Sequence, residues 1–355
     1  MSRHLTLHIV ASVPYSNLNR DDAGTPKNVR RGGATCALLS SQSIKKGIRT
    51  KYEEASQDIS VRSGKLSEAI IERAREIAPD SNEKDLAKAA KKLVGTLTKK
   101  DKVKEGDRES DRSIWLSAEE LEVAAAQVAG DSSQGEFIAE GKTGSLAIAS
   151  FGRMFAAAPQ KGTEAALSVS PAVTTHGVVI ATDYFSTVDD IREKNHDTGA
   201  TFLGVAQYTT GVFYRTVTID KEQLKESWTG FDDDASTDNI RALINAIIYG
   251  LPRGKQRSTA PFVQPALILA EEQTYRCAYD FEAPVQADKD QGGYLKPTMV
   301  ELDRQYRAAR DFDPDNFGAV QVVAGTYPDL ADLFPGATHG TKNDLIEQVV
   351  FWVKN

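Results

Sequence analysis

Apolar and polar residues alternate for part of residues 4–13 (His-Leu-Thr-Leu-His-Ile-Val-Ala-Ser-Val), which predicts a strand. A polar stretch from Asn19-Arg20-Asp21-Asp22 to Gly32-Gly33 predicts a loop. Ser40 or Ser41 can then cap a helix that reaches about Tyr52. Residues 64–78, 84–98 and 117–129 carry Ala, Lys, Glu and Leu at helical spacing, as in Leu86, Ala90, Leu93 and Leu97. A charge-dense stretch, 99–112, separates the last two, so 53–150 reads as a helical insertion. Strand-like composition returns at 172–185 and 205–219, followed by a helix at 238–249 with Ile240, Leu243, Ile244, Ile247 and Ile248 on its apolar side. Strands at 262–271 and 274–283, a helix at 298–310, a strand at 318–324 and a helix at 342–353 complete the pattern. With the insertion set aside, the order β-α-β-β-α-β predicts an α+β chain with a ferredoxin-like (RRM-like) core formed by 1–52 and 151–355.

Composition changes this picture only through charge. No run approaches 18 consecutive apolar residues, so no membrane partner is expected. The opening Met1-Ser-Arg-His-Leu has no signal-peptide pattern, which makes the cytoplasm the expected compartment. Cys36 and Cys277 lie far apart in sequence, which leaves a disulfide between them open but does not suggest a secreted disulfide scaffold. The net charge of −7 argues against nucleic acid until its distribution is considered. Residues 1–50 hold eight Lys and Arg against Asp21 and Asp22, a local balance of +6. Phosphate binding depends on such local cations rather than on the whole-chain sum.

Four segments carry candidate chemistry. On the helix that starts at Ser40, Gln42, Lys45, Lys46 and Arg49 fall within about a 100° arc, while Ile44 and Ile48 face elsewhere. That basic face, with the Ser40 and Ser43 hydroxyls and the helix start, suits a phosphate, or is an ordinary solvated helix face. The segment 251–257 places Arg253, Lys255 and Arg257 in a compact turn beside Gln256, fit for backbone contacts or simply solvated. In Phe151-Gly152-Arg153-Met154-Phe155, Met154 can wedge between bases while Arg153 holds phosphate, or both can fill a core. Residues 191–210 exceed a normal hairpin connection and predict a projecting loop whose apolar tip, Phe202-Leu203, can act as a wedge or fold back.

Enzyme signals are weak. Gly135 to Thr143 resembles a P-loop but has five residues between the glycines where four are needed. The five histidines and two cysteines show no zinc spacing, and His176 reads as a structural, hydrogen-bonded residue. Asp21-Asp22, Asp189-Asp190 and Asp232-Asp233-Asp234 can in principle hold magnesium, but adjacent aspartates are more often loop and capping residues. No catalytic residue, metal or cofactor is expected.

Seven segments occur in an order that resembles the CasC family, the backbone subunit of the type I-E CRISPR Cascade complex. They are Asn17-Leu18-Asn19-Arg20-Asp21-Asp22, Ser40-Ser41-Gln42-Ser43, Phe151-Gly152-Arg153-Met154, Thr174-Thr175-His176, Tyr184-Phe185-Ser186-Thr187-Val188-Asp189-Asp190, Gly211-Val212-Phe213-Tyr214-Arg215 and Gly254-Lys255-Gln256. The resemblance covers most of 5–50, 150–220 and 250–262 and fades over 53–150 and beyond about 290.

What the resemblance implies is a ferredoxin-like palm, a helical fingers insertion and a projecting thumb, with copies stacked along a guide RNA as a helical filament. It implies partners in target DNA, reached by pairing with the guide, and in the large, small, guide-5′-end-capping and guide-processing Cascade subunits. The family's phosphate-binding helix falls on Gln42, Ser43, Lys45 and Arg49, its cationic loop on Lys255 and Gln256, its intercalating methionine on Met154, and its thumb tip on Leu203. Joined with the residue reading, the expected RNA contacts are Arg20, Ser40, Gln42, Ser43, Lys45, Lys46, Arg49, Arg153, Met154, Lys255, Gln256 and Arg257. Lys91, Lys92, Lys99 and Lys100 are available to touch DNA. The competing enzyme reading is a magnesium-dependent RNA-cleaving backbone subunit using Asp21 or Asp22.

Overall fold

A computed structural model of the chain describes residues 2–56, 58–98, 114–131, 133, 135–187 and 202–355. The chain opens with β1 (His4–Ser16), a hairpin of β2 (Asn28–Arg31) and β3 (Ala34–Leu39), and α1 (Ser41–Ser56). Next come β4 (Ser60–Ser63), α2 (Leu66–Ile77), α3 (Glu83–Gly95), β5 (Ile114–Ser117) and α4 (Ala118–Val128). A short α5 (Leu146–Phe151) leads to β6 (Leu167–Val169), β7 (Ala172–Thr174), β8 (Ala181–Thr187) and β9 (Phe202–Asp220). The remainder is α6 (Lys221–Ser227), α7 (Ser236–Tyr249), β10 (Leu267–Gln273), α8 (Leu295–Phe312), β11 (Phe317–Ala324), β12 (Thr338–His339) and α9 (Lys342–Lys354).

Ten of these strands form one sheet in the order β12-β11-β10-β1-β9-β7-β3-β2, with β6 and β8 paired to other stretches of β9. β1 lies between β9 and β10 and is antiparallel to both. The class is thus α+β, as expected. One face of β1 packs Leu5, Leu7, Ile9 and Val13 against Ile44, Ile48 and Tyr52 of α1 and against the apolar sides of α7 and α9. The other face sets Val10 against Met299, Leu302 and Tyr306 of α8. Burial from both sides explains why β1 alternates only in part: a strand covered on both faces reads as a nearly continuous apolar run.

Several sequence expectations change. Residues 172–185 are two strands, because the chain turns at His176-Gly177 and the His176 ring takes over part of the ladder: its Nε2 accepts the Val212 N–H at 3.1 Å. Residues 274–283 are not a strand. β10 already has β1 and β11 as neighbours, so there is no free edge beside it, and the apolar residues Tyr279 and Phe281 plug the core under α8 instead. The polar loop predicted over 19–33 is shorter, since β2 begins at Asn28.

The region 53–150 is not purely helical. It contains the ribbon of β4 and β5, and it has a cluster of buried residues of its own, including Leu66, Ile70, Leu86, Ala90, Leu116 and Ala124. Of the loop expected at 191–210, residues 191–201 lie outside the described residues, whereas Phe202 and Leu203 are strand residues paired with Thr187 and Ser186. β9 outruns β1: its last partner there is Thr209, opposite Ser16, and 202–208 pair with β8 as a separate two-stranded arm.

Candidate nucleic-acid interface

α1 starts where the sequence predicts, and its start is tied to the first turn of the chain. Asn19 Oδ1 accepts the Ser40 N–H at 2.8 Å and the Ser43 hydroxyl at 3.2 Å. Ser40 Oγ accepts the Ser43 N–H at 3.4 Å in the capping position. The two hydroxyls expected to meet phosphate are therefore first engaged in holding the helix start, with Arg20 exposed beside them. Gly47 lets the helix lie close on the end of α7, since a methyl group there would sit 2.5 Å from the Leu251 carbonyl oxygen. With Ile44, Ile48 and Tyr52 fully buried, the opposite face leaves Gln42 and Lys46 to solvent and Lys45 half-buried.

That face forms one wall of a surface cleft of about 610 Å³. Gln42, Lys45, Lys46 and Arg49 line it from α1, Phe151 to Met154 line its floor, and Arg62 and Trp115 line it from β4 and β5. Among the described residues no carboxylate pairs with Lys45, Lys46 or Arg62, and Arg49 meets Glu53 at 3.7 Å. Among the described residues the cleft therefore carries more cations than carboxylate partners for them. Met154 stands in it 84 % exposed, which is unusual for a large apolar side chain and leaves it free to contact a ligand.

Arg153 departs from the expected role. Its guanidinium turns inward, forms a two-pronged ion pair with Glu120 of α4, donates to the Trp115 carbonyl at 3.1 Å and lies over the Phe155 ring. A buried, paired guanidinium is not available to phosphate. Gly152, at φ +72°, makes this possible by reversing the chain so that Arg153 points in while Met154 points out.

The second cationic element, 251–257, is fixed from below. Arg215 on β9 is buried and donates to the carbonyls of Ile247, Ile248 and Gly250, the open end of α7. Burial pushes its pKa down to about 10, and the carbonyl cage suits a cation at a helix C-terminus. Gly254 then packs on Leu18, its N–H donating to the Leu18 carbonyl at 3.1 Å. Lys255 adopts the left-handed conformation at φ +46° and places its ammonium 5.2 Å from the Tyr208 ring at the root of the β8–β9 arm. Arg253 pairs with Glu54 of α1 at 2.9 Å, while Arg257 is exposed. A second depression of about 350 Å³, lined by Lys51, Arg253 and Gln256, separates this loop from α1.

The chain thus gathers Gln42, Lys45, Lys46, Arg49 and Met154 into one cleft and sets Lys255, Gln256 and Arg257 on the other side of the same helix. Lys91 and Lys92 are exposed on α3 and line neither depression, and Lys99 and Lys100 lie outside the described residues. Sequence reading missed Arg62 and Trp115; the apolar Ile114-Trp115-Leu116 run was a strand signal inside a region read as helical. Asp21 does not point toward a cation site. Its Oδ1 accepts the N–H groups of Ala23 and Thr25 at 3.0 and 2.9 Å in a turn. Among the described residues no group of three His, Cys, Asp or Glu side chains is placed to hold a metal. His176 is the expected structural residue: its Nδ1 donates to the Gly177 carbonyl, its ring stacks on Tyr294, and burial lowers its pKa.

An α+β chain with an open cationic cleft and a basic helix at its centre is the class that fold and site define. Comparison with known families is specific: the model of the CT1975-like protein family matches residues 5–351, and the chain belongs to that family. A solved chain of a "CRISPR RNA-guided surveillance complex, pre-nicking" is 25% identical, with 99% of this chain and 100% of that chain covered at a TM-score of 0.82. A chain from another "CRISPR RNA-guided surveillance complex" is 24% identical, with 98% and 99% covered at a TM-score of 0.70. A comparison with curated proteins gave no match.

Proposed function

We propose that this chain is a non-catalytic backbone subunit of a type I-E-like Cascade, which binds CRISPR guide RNA along its phosphates and presents the bases for pairing with target DNA. The observation that carries the reading is the cleft itself: Lys45, Lys46 and Arg62, without carboxylate partners among the described residues, facing an exposed Met154. Cations positioned this way neutralise phosphates without reading sequence, which a subunit repeated along one RNA requires. Membership of the CT1975-like family and the likeness to chains of RNA-guided surveillance complexes support it.

In this reading the antiparallel set β10-β1-β9-β7 with α1 and α7 is a ferredoxin-like palm, the 53–150 region is the fingers, and the β8–β9 arm is the thumb. Copies stack in an open helical filament whose length the RNA and the other Cascade subunits limit. Phe202 and Leu203 belong to the thumb rather than to a loop tip, and Arg153 braces the cleft floor.

The test is single-stranded RNA binding by fluorescence anisotropy across a salt series. Log affinity falls linearly with log salt, and Lys45→Ala/Lys46→Ala/Lys255→Ala flattens the slope by roughly 0.7 per lost contact. Wild-type protein that ignores RNA at low salt would overturn the reading. Incubation of bound complementary RNA with magnesium tests the non-catalytic part; cleavage abolished by Asp22→Asn would replace it with an enzyme.

A further inference from the structure

The cleft has a second wall that the basic helix does not supply. β4 and β5 form a two-stranded ribbon in which Arg62 lies directly across from Trp115. Residues opposite each other in an antiparallel pair share a face, so both side chains project to the same side. The Arg62 guanidinium stands 5.9 Å from the Trp115 ring centroid, and the Arg49 guanidinium, reaching over from α1, stands 5.2 Å from it. One indole therefore holds two cations that come from opposite walls.

The indole is itself fixed. Its Nε1 donates to Ser60 Oγ at 2.7 Å, and Ser60 Oγ is bonded in turn to Glu53 of α1. Ring, ribbon and helix are stitched together, so the two guanidinium groups are held rather than free to swing apart. Only Glu53 offsets them, at 3.7 Å from Arg49, and Arg62 is exposed with no acidic partner among the described residues. Like charges gathered on one ring with fewer carboxylates than cations repel each other until an anion arrives between them.

We propose that the ribbon completes the phosphate clamp. Arg62 is a direct contact to the phosphodiester backbone of single-stranded RNA, and Trp115 is a positioning residue that aims Arg62 and Arg49 at it. This rests on the RNA-binding reading above and adds that the inserted region holds the guide as well as the palm does. A guanidinium can grip two phosphate oxygens at once, which an ammonium on the facing helix cannot, so the two walls differ in kind as well as in position.

The experiment is the same anisotropy salt series on a labelled oligouridylate, with thermal melts confirming that each variant is folded. Arg62→Ala is expected to flatten the log–log slope by about 0.7, one phosphate contact, and Arg62→Lys to restore most of it. Trp115→Phe keeps an aromatic ring but loses the N–H that bonds Ser60, and is expected to flatten the slope by less than Trp115→Leu, which loses up to two contacts and flattens it by about 1.4. Trp115 is largely buried, so if Trp115→Leu fails to fold, the exposed Arg62 and the Phe variant carry the test. An Arg62→Ala slope equal to wild type, while Lys45→Ala/Lys46→Ala/Lys255→Ala is flattened, overturns the ribbon's role and leaves the RNA-binding reading standing. If the triple variant is unchanged as well, both fall.

Discussion

Charged side chains stand on both sides of the sheet, in opposite regimes. Under α8, His8 Nε2 lies 2.8 Å from Glu271, Arg310 donates to the same carboxylate at 2.6 Å, and the Tyr279 hydroxyl donates to it at 3.0 Å. The Tyr214 hydroxyl meets His8 Nδ1 at 2.8 Å, and both His8 and Glu271 are fully buried. Across the sheet, Lys45, Lys46 and Arg62 stand around an open cleft with no carboxylate of their own among the described residues. In the first region the Glu271 carboxylate is buried and matched, with Arg310 only partly exposed, so its energy is spent holding β1, β10 and α8 together. In the second the charge is surplus and wet, so it is available to a ligand. Residue type says nothing about which is which; pairing and solvent do.

The sharpest way to break this contrast is Glu271→Ala. It leaves the buried His8 and the partly exposed Arg310 without their partner and is expected to lower unfolding free energy by about 3–5 kcal/mol in urea titrations. The salt slope for RNA stays unchanged at temperatures where the variant is folded. A loss below about 1 kcal/mol would show that the network is not the matched site described here. Acid gives the same contrast without mutation. Burial opposes ionisation of Glu271, but His8 and Arg310 outweigh it and hold its pKa below the ordinary 4.5. Its stabilising contribution is therefore complete above about 4.5 and disappears as pH falls through the lowered folded value. Urea midpoints measured from pH 6 downward read that loss.

Arg153→Ala comes next. It strands Glu120 in the floor of the cleft and is expected to cost about 3 kcal/mol, most of which Glu120→Leu/Arg153→Met recovers, because a buried pair replaced by apolar residues loses little. RNA affinity that fell in the double variant as far as in Lys45→Ala/Lys46→Ala/Lys255→Ala would return Arg153 to the set of phosphate contacts. That triple variant changes the salt slope by about 2 while leaving stability within about 0.5 kcal/mol per site, since the removed groups are surface cations. Met154→Ala is the smallest change: stability is held, and RNA affinity drops by about 1 kcal/mol, the low end for a side chain set against bases. A drop in melting temperature with unchanged affinity would show instead that Met154 serves packing.

Much of the fold was legible because it is written in local periodicity. The helix at 41–56, the helices at 66–77 and 83–95, and the last two helices all follow their apolar spacing closely. The basic stripe of α1 was legible for the same reason, since four positions at helical spacing must share a face. The strand expected at 274–283 failed because β-composition cannot tell a strand from a core plug; that depends on whether a sheet edge is free. The ribbon of β4 and β5 was hidden by the 50 residues between its strands, a pairing without any local signature.

Arg153 and Met154 show the division most clearly. By itself the sequence determined that a glycine, an arginine and a methionine follow one another after a short apolar run. It also fixed how many cations lie near the start of the chain and on which side of their helix. Only the tertiary structure decided that Gly152 reverses the backbone, so that Arg153 meets Glu120 from α4 and Met154 faces solvent. Which charges are neutralised depends on carboxylates brought in from distant segments. Spacing along the chain sets faces, and contact between distant segments sets pairing.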